Sequence, residues 1–315
     1  MARLRFNPQV FSNVLGTLEP AARVADGDTV VVETVDAWGF DKADIRRQTP
    51  PNPMTGPFFV EGAEPGDCLS VRIDRMTANR ETGWTFGPVA ANVVEPAAAA
   101  ALPKRERVLW RLDRETGKAR LIDAPAALAK FEAPFAPMLG CFGVAPPLGQ
   151  AISTATSGVY GGHMDYRRFG PGATAYFPVF APGALFVLGD GHFAQGDGEI
   201  VGTGIETSFE VEFTVRVLKG RAPGWPRGET AEHIFAIGNA RPLDQALQHA
   251  TSEMIAWLGQ DYGLDALAAS HLLGQCVRYD VANVFNPAYS VACRLPKRVL
   301  AGLSGETPSP LAGEG

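Results

Sequence analysis

The sequence lacks the motifs by which several large classes of enzyme are recognised. It contains no GxSxG nucleophile motif, no HExxH motif, no GxGxxG fingerprint and no P-loop. Their absence leaves an α/β-hydrolase, a common zinc hydrolase or a nucleotide-binding enzyme without support. Any chemistry must therefore come from a less common arrangement of side chains.

Cysteine and long apolar runs are also scarce. The four cysteines have no CxxC spacing, which predicts free, mostly buried thiols in a reducing compartment. The first residues contain no apolar stretch typical of a signal peptide. The most apolar run, residues 174–188, contains two prolines and is too short to cross a bilayer. These features predict a soluble, cytoplasmic protein.

Charge is low and slightly acidic. Charged residues make up 20% of the 315 residues, and the formal net charge is −6. A nucleic-acid surface would need a basic patch, so we expect neither a nucleic-acid nor a membrane partner. The hydrophobic fraction of 46% is that of a globular protein with a large core. We expect a small-molecule ligand and a homo-oligomer.

Strand patterns dominate the chain. Residues 29–35 form a nearly continuous β-branched apolar run, and residues 69–73 and 209–217 alternate between apolar and polar. Helical spacing appears only late, in residues 242–277. We predict a mostly β protein, with a two-lobed β-sandwich or barrel-like architecture and a small C-terminal α segment. The predicted parts are an N-terminal lobe (1–150), a C-terminal sandwich lobe (151–303) and a disordered tail (304–315).

Potentially chemical side chains concentrate in residues 161–219, between apolar strand-like runs and often beside glycine. An acidic and histidine-rich cluster of this kind is typical of a metal or proton-transfer site. Its members are His163, Asp165, Asp190, His192, Gln195, Asp197, Glu199 and Glu206.

Several of these residues also have a simpler interpretation. Asp165, Asp190 and Asp197 each lie close to glycine, where aspartate commonly forms a turn. Whether Asp190, Asp197 and Glu206 are site or turn residues stays open. His192 lies between Gly191 and Phe193, where a histidine contributes little to packing, so a functional role is favoured for it.

The same stretch resembles the acetamidase/formamidase family. The resemblance rests on GGHMD (161–165), FPVFAPGALF (177–186), GDGH (189–192), AQGDGE (194–199) and GIE (204–206), and extends to VEGAEPGD (60–67) and GVAP (143–146). The family usually has Asn where this chain has His163. The resemblance implies hydrolysis of the C–N bond of short aliphatic amides such as formamide or acetamide, with release of ammonia and a carboxylate.

A metal-dependent site can be assembled from these residues. Asp36 follows the first buried strand, where it either lines a cleft or starts a turn, and the resemblance favours the cleft. We predict Asp36, Asp165 and His192 as ligands of a divalent metal, with zinc first and Mn, Mg or Ca as alternatives.

The remaining side chains are assigned to catalysis and substrate binding. Glu199 and Glu61 are the candidates for the general base. His163 and Gln195 are the candidates for substrate contacts. The alternative from another class is a non-catalytic β-sandwich that binds a small ligand or an ion.

Overall fold

The structure is a computed structural model that describes residues 1–303. Strands account for 38% of the chain and helices for 17%, which confirms the predicted mostly β fold. No helix within residues 1–303 is long and apolar enough to cross a membrane. The predicted disordered tail, residues 304–315, lies outside the described residues.

Short strands make up most of the regular structure, and the two longest helices follow one another after residue 242. The strands are β1 (Arg3–Phe6), β2 (Val14–Leu15), β3 (Ala22–Val24), β4 (Thr29–Glu33), β5 (Thr55–Val60), β6 (Cys68–Ala78), β7 (Thr82–Gly87), β8 (Glu106–Asp113), β9 (Lys118–Leu121), β10 (Ala133–Pro134), β11 (Met138–Gly143), β12 (Ile152–Ser153), β13 (Ser157–Gly158), β14 (Gly161–His163), β15 (Thr174–Pro178), β16 (Phe186–His192), β17 (Phe209–Leu218), β18 (Arg227–Glu229), β19 (His233–Ala240), β20 (Arg278–Asn283) and β21 (Tyr289–Pro296). The α-helices are α1 (Pro96–Ala100), α2 (Leu243–Tyr262), α3 (Ala266–Cys276) and α4 (Lys297–Leu300).

Two sheets form the body of the protein. The larger has nine strands in the order β1-β4-β17-β6-β15-β18-β19-β21-β20, and the other has six in the order β13-β14-β11-β16-β5-β3. A four-stranded sheet, β10-β9-β8-β7, contains the antiparallel hairpin of β8 and β9. Both main sheets contain strands from before and after residue 150, so the predicted lobe boundary does not separate the sheets.

The core shows why the alternating strands were recognisable in sequence. β17 pairs antiparallel with both β4 and β6, and its apolar residues from Phe209 to Val215 are buried while the intervening side chains are more exposed. Phe213 packs edge-on against Phe58 and Phe186 of the six-stranded sheet. Such edge-to-face aromatic contacts add to the burial of apolar area that holds the two sheets together.

The helices cover one face of the larger sheet. α2 buries Met254, Trp257 and Leu258 in a second apolar cluster that includes residues of β19 and β21. Gly263 ends α2 with φ +66°, a left-handed conformation that glycine adopts without steric cost. The Asp265 side chain accepts a hydrogen bond from Ala268 N at 2.8 Å and caps α3.

Candidate active site

Three neighbouring strands bring the central polar residues together. β11 pairs antiparallel with β14 on one side and with β16 on the other. Asp165 closely follows β14, and Asp190 and His192 belong to β16. Gly140 of β11 lies beneath them: a Cβ at this position would be 2.4 Å from Asp165 Oδ1 and 2.7 Å from Asp190 Oδ2. The two carboxylates therefore share the space that glycine leaves open.

Three overlapping groups of side chains have the spacing of metal ligands. They are His163 with Asp165 and Asp190, Asp165 with His192 and Glu199, and Asp190 with His192 and Glu206. Within each group the potential ligand atoms lie within 4.8 Å of one another. Asp165, Asp190 and His192 each belong to two of the groups, so these three residues stand at the centre of the cluster.

Unpaired polar atoms converge on this centre. Among residues 1–303, several buried side-chain atoms of the cluster have no hydrogen-bond partner: Asp165 Oδ1, Asp190 Oδ1, His192 Nε2, Glu199 Oε2 and Glu206 Oε2. His192 Nε2 lies 2.9 Å from Glu206 Oε1 and 3.5 Å from Asp190 Oδ1. Although 2.9 Å is a hydrogen-bonding distance, His192 Nε2 makes no hydrogen bond to any described residue. Ligand atoms of one tetrahedral zinc ion are roughly 3.3 Å apart, so these distances fit a cation.

Gln195 sets the orientation of the His192 ring. Its Nε2 donates to the Asp165 backbone oxygen at 2.6 Å, which directs its Oε1 toward His192 Nδ1 at 2.8 Å. Because an amide oxygen only accepts, His192 must carry its proton on Nδ1. The Nε2 lone pair is then free to bind a metal, as in metal sites where the second ring nitrogen donates to a neighbour.

The two central aspartates are each held by one oxygen. Asp165 Oδ2 accepts hydrogen bonds from Asn283 Nδ2 at 2.6 Å and from Asn286 Nδ2 at 2.7 Å. Asp190 Oδ2 accepts from Asn52 Nδ2 at 3.1 Å. In both residues the other oxygen is the unpaired one. Amide donors thus orient these carboxylates, and His163 Nε2 also lies 2.9 Å from Asp190 Oδ2 and 3.1 Å from Asp165 Oδ2.

Backbone conformation also distinguishes the cluster. Asp165, Asp190 and Glu199 have φ of +47°, +56° and +47°, in the left-handed region that non-glycine residues seldom adopt. Such conformations cost on the order of 1–3 kcal/mol each and concentrate at functional sites. Three of them within one cluster favour a functional over a purely structural role.

Burial and mutual charge shift the ionisation of the cluster. Burial raises the pKa of Glu206 to about 8 and that of Glu199 well above its usual value, and the Asp165 charge raises the pKa of Glu199 further. Burial opposes the charged form of His192, but Glu206 and Asp190 raise its pKa overall. Burial also acts to raise the pKa of Asp190, yet the charges of His163 and His192 lower it overall. The negative charges of neighbouring carboxylates repel one another, and a bound cation would relieve this repulsion.

A cavity of about 280 Å³ opens over this cluster. His163, Asp190, Glu199 and Glu206 line it, whereas Asp165 and His192 are not among its lining residues. Its walls are largely aromatic and are formed by Trp38, Trp84, Phe86 and Phe285. A ligand in the cavity would therefore meet Glu199 and Glu206 directly.

Asp36 occupies a different place from the one predicted. Its Oδ1 accepts from the backbone nitrogens of Trp38 and Phe40, and its Oδ2 accepts from Arg80 Nη2 at 2.7 Å and Trp84 Nε1 at 3.0 Å. It belongs to none of the three groups found among residues 1–303. With both oxygens satisfied, Asp36 supports the aromatic wall, and Asp190 lies beside His192 in its place.

Glu61 and Asp197 lie outside the cluster as well. Glu61 is half exposed and forms an ion pair with Arg23 at 3.0 Å. Asp197 forms an exposed ion pair with Arg167, which suits the interpretation as a turn residue. Of the two predicted bases, only Glu199 lies in the cavity.

Sequence reasoning placed too little weight on Asp190 and Glu206. Asp190 and His192 are two residues apart on one strand and so point to the same face, a signal that was present in the sequence. Glu206 reaches the site because its backbone forms β-bridges to His192, across a loop, and to Trp84, which is distant in sequence. The supporting amides of Asn52, Asn283 and Asn286 carried no local signal.

Comparisons with known proteins agree with this architecture. The acetamidase of Mycolicibacterium smegmatis is 28% identical over 240 residues, which cover 60% of this chain and 59% of that protein. The chain thus spans about three fifths of the length of this curated relative. A solved structure of a predicted acetamidase/formamidase from Thermoanaerobacter tengcongensis has a TM-score of 0.83 and 29% sequence identity. The match covers 96% of this chain and 98% of that chain.

A further solved structure and the family match extend the likeness across the chain. The acetamidase structure from Bacillus halodurans has a TM-score of 0.82 and 28% identity, with 95% of this chain and 99% of that chain covered. The model of the acetamidase/formamidase family matches residues 15–156 and 148–279. Since these ranges include most of the chain and every residue of the three ligand groups, the protein belongs to the acetamidase/formamidase family.

Proposed function

We propose that the protein hydrolyses the C–N bond of amides with the help of a divalent metal, releasing ammonia and a carboxylate. The observation that carries this proposal is the unpaired His192 Nε2 among unpaired carboxylate oxygens, next to a cavity. Family membership supports the reaction class. Free thiols, seen at all four cysteines, support a reducing and therefore cytoplasmic setting, and we further propose that the protein is a homo-oligomer.

The donor set fits a divalent cation. His192 Nε2 would hold the ion together with Asp165 Oδ1 and Asp190 Oδ1, because Asp165 shares one ligand group with His192, Asp190 shares another, and asparagine side chains orient both aspartates. One imidazole with carboxylates suits zinc, and also manganese. Asp165 and His192 keep the roles predicted from sequence, and Asp190 replaces Asp36.

Glu199 is the proposed general base. A bound divalent ion supplies Lewis acidity, which polarises the amide carbonyl and makes water more acidic. Glu199 lines the cavity with an unpaired Oε2, so it can accept a proton from the water whose oxygen attacks the carbonyl carbon. It then returns that proton to the amide nitrogen as the C–N bond breaks, so that ammonia leaves and a carboxylic acid remains, which releases its proton to solvent to give the carboxylate.

The two predicted substrate contacts separate in the structure. His163 lines the cavity, with its Nε2 2.9 Å from Asp190 Oδ2 and 3.1 Å from Asp165 Oδ2. It therefore remains a proposed contact for the substrate amide. Gln195 contacts His192 and the Asp165 backbone, which favours positioning of the His192 ring over substrate binding.

Metal removal tests the reaction class. The purified protein should contain about one divalent ion per chain and release ammonia from formamide or acetamide. Chelation should abolish ammonia release, and Zn²⁺ or Mn²⁺ should restore it, measured by elemental analysis and a coupled ammonia assay. The non-catalytic alternative predicts no turnover even after metal is restored. If the metal-loaded protein hydrolyses none of the small amides tested, the proposal is overturned.

Gln195→Leu should weaken metal binding while preserving the fold. Loss of a partner that orients a ligating histidine typically costs 10–100-fold in metal affinity. Gln195→Glu should retain more affinity, because its carboxylate can still accept from His192 Nδ1. Competition with a chelator of known affinity measures the change.

The control for Gln195 is Gln245→Leu, an exposed glutamine in the first turn of α2. It should leave metal affinity unchanged. Equal affinity of Gln195→Leu and the wild type would show that Gln195 does not position His192.

A further inference from the structure

We propose that the cavity selects amides that carry a carboxylate, and that Arg105 binds this carboxylate. This substrate class rests on the proposed amide hydrolysis and makes it more specific. The charged end of the substrate would lie against Arg105, while the amide would lie against the acidic floor formed by Asp190, Glu199 and Glu206.

The size of the cavity is the first observation. Its volume of about 280 Å³ corresponds to roughly nine water molecules at about 30 Å³ each. Formamide and acetamide would leave most of this space filled with solvent. A site that gains by excluding water from the reacting amide would be better filled by a longer substrate.

The second observation is the environment of Arg105. Its guanidinium carbon lies 4.3 Å from the centre of the Phe86 ring and 4.9 Å from that of Phe285, so the two rings hold it at the cavity wall. Within residues 1–303, no ion pair or hydrogen bond of the Arg105 side chain is found. Burial lowers its pKa, whereas the Glu199 charge acts to raise it. A half-buried guanidinium without an anionic partner is ready to bind a carboxylate through two parallel hydrogen bonds.

Arginines on the surface of the larger sheet provide a contrast. On the surface of the larger sheet, Arg3 and Arg75 pair with Glu212 at 2.8 Å and 3.3 Å. Near the cavity, in contrast, Arg107 stacks over Trp38 at 5.3 Å, again with no carboxylate partner among the described residues. A protein with a formal net charge of −6 thus keeps cations without acidic partners at the aromatic wall.

The distribution of charge also sets the direction of binding. The floor carries several carboxylates, so an anionic group placed there would be repelled. The same group placed at Arg105 is attracted and leaves the amide end free to approach Glu199. The arrangement therefore favours a substrate with an amide at one end and a carboxylate at the other.

A matched pair of substrates tests this selection. Succinamate carries a carboxylate, and levulinamide has a neutral acetyl group in its place with nearly the same shape. The metal-loaded wild type should have a kcat/KM about ten-fold or more higher for succinamate, since a charge-assisted hydrogen bond contributes on that scale. Arg105→Met should lower the ratio of the two kcat/KM values by about ten-fold or more, mainly through KM, and Arg105→Lys should retain part of it.

Arg111→Met provides the control, because Arg111 lies on β8, the strand that directly follows Arg105, and does not line the cavity. It should keep the wild-type ratio. A wild-type ratio near one, or an unchanged ratio in Arg105→Met, would overturn the assignment of Arg105.

Binding of the product succinate separates this inference from the proposed function. Calorimetry should show that Arg105→Met binds succinate about ten-fold or more weakly than the wild type, whether or not turnover occurs. If no amide is hydrolysed but this difference is present, only the proposed reaction is wrong. If amides are hydrolysed and the two proteins bind succinate equally, only the Arg105 inference is wrong.

Discussion

The His192→Ala variant is expected to lose its divalent metal, and its kcat/KM should fall by about a thousand-fold or more. His192 is the histidine shared by two ligand groups, and its Nε2 is buried without a hydrogen bond among the residues described. Removing it leaves only carboxylate oxygens, which bind zinc less well than a site with imidazole. The Lewis acidity lost with the ion is worth several kcal/mol in the transition state, and each 1.4 kcal/mol corresponds to about ten-fold in rate.

Metal content and ammonia release should be measured on the same preparation. His271→Ala is the matched control, since His271 is exposed on α3 and far in sequence from the cluster. It should retain metal and activity. If His192→Ala keeps one ion per chain and full ammonia release, then His192 is not a ligand and the metal site would have to be rebuilt around the remaining carboxylates.

Glu199→Gln is expected to keep the metal and lose turnover. The substitution preserves shape but removes the group that accepts and returns the proton, and general-base catalysis typically contributes about 10²–10⁴-fold. Glutamine can still occupy the cavity wall, so substrate affinity should change little. The loss should therefore appear in kcat, with metal content unchanged by elemental analysis.

Glu61→Gln distinguishes the two bases predicted from sequence. Glu61 pairs with Arg23 at the surface, so this variant should turn over amides at nearly the wild-type rate. Loss of turnover in Glu61→Gln with full activity in Glu199→Gln would reverse the assignment. Loss of metal in Glu199→Gln would instead make Glu199 a ligand beside Asp165 and His192, which form one of the three ligand groups.

Much of the fold was predictable because its signals are local. β17 alternates in burial as its sequence alternates in polarity, and α2 ends at a glycine with positive φ. Apolar residues recur with the period of the strand or helix that buries them, and the end of a helix favours glycine because the chain adopts a positive φ there. The division at residue 150 had no such signal, because strand pairing between distant segments is a property of the whole chain.

For the site, the sequence alone determined which side chains were unusual for their surroundings. His192 stood out because a histidine between Gly191 and Phe193 contributes little to packing, and Asp165 and Glu199 belong to the same acidic and histidine-rich stretch. All three are buried in one cluster in the structure. Their chemical types also limited the function to metal binding or proton transfer.

Only the tertiary structure decided which carboxylates face the metal position and which have another partner. Asp36 and Asp190 each stand in or closely after an apolar strand, yet one is neutralised by Arg80 and the other keeps an unpaired oxygen beside His192. The difference arises from partners contributed by distant segments, whose arrival depends on sheet packing. Burial disfavours the charged form of a carboxylate and a nearby cation favours it, and the three-dimensional surroundings of each carboxylate determine the balance.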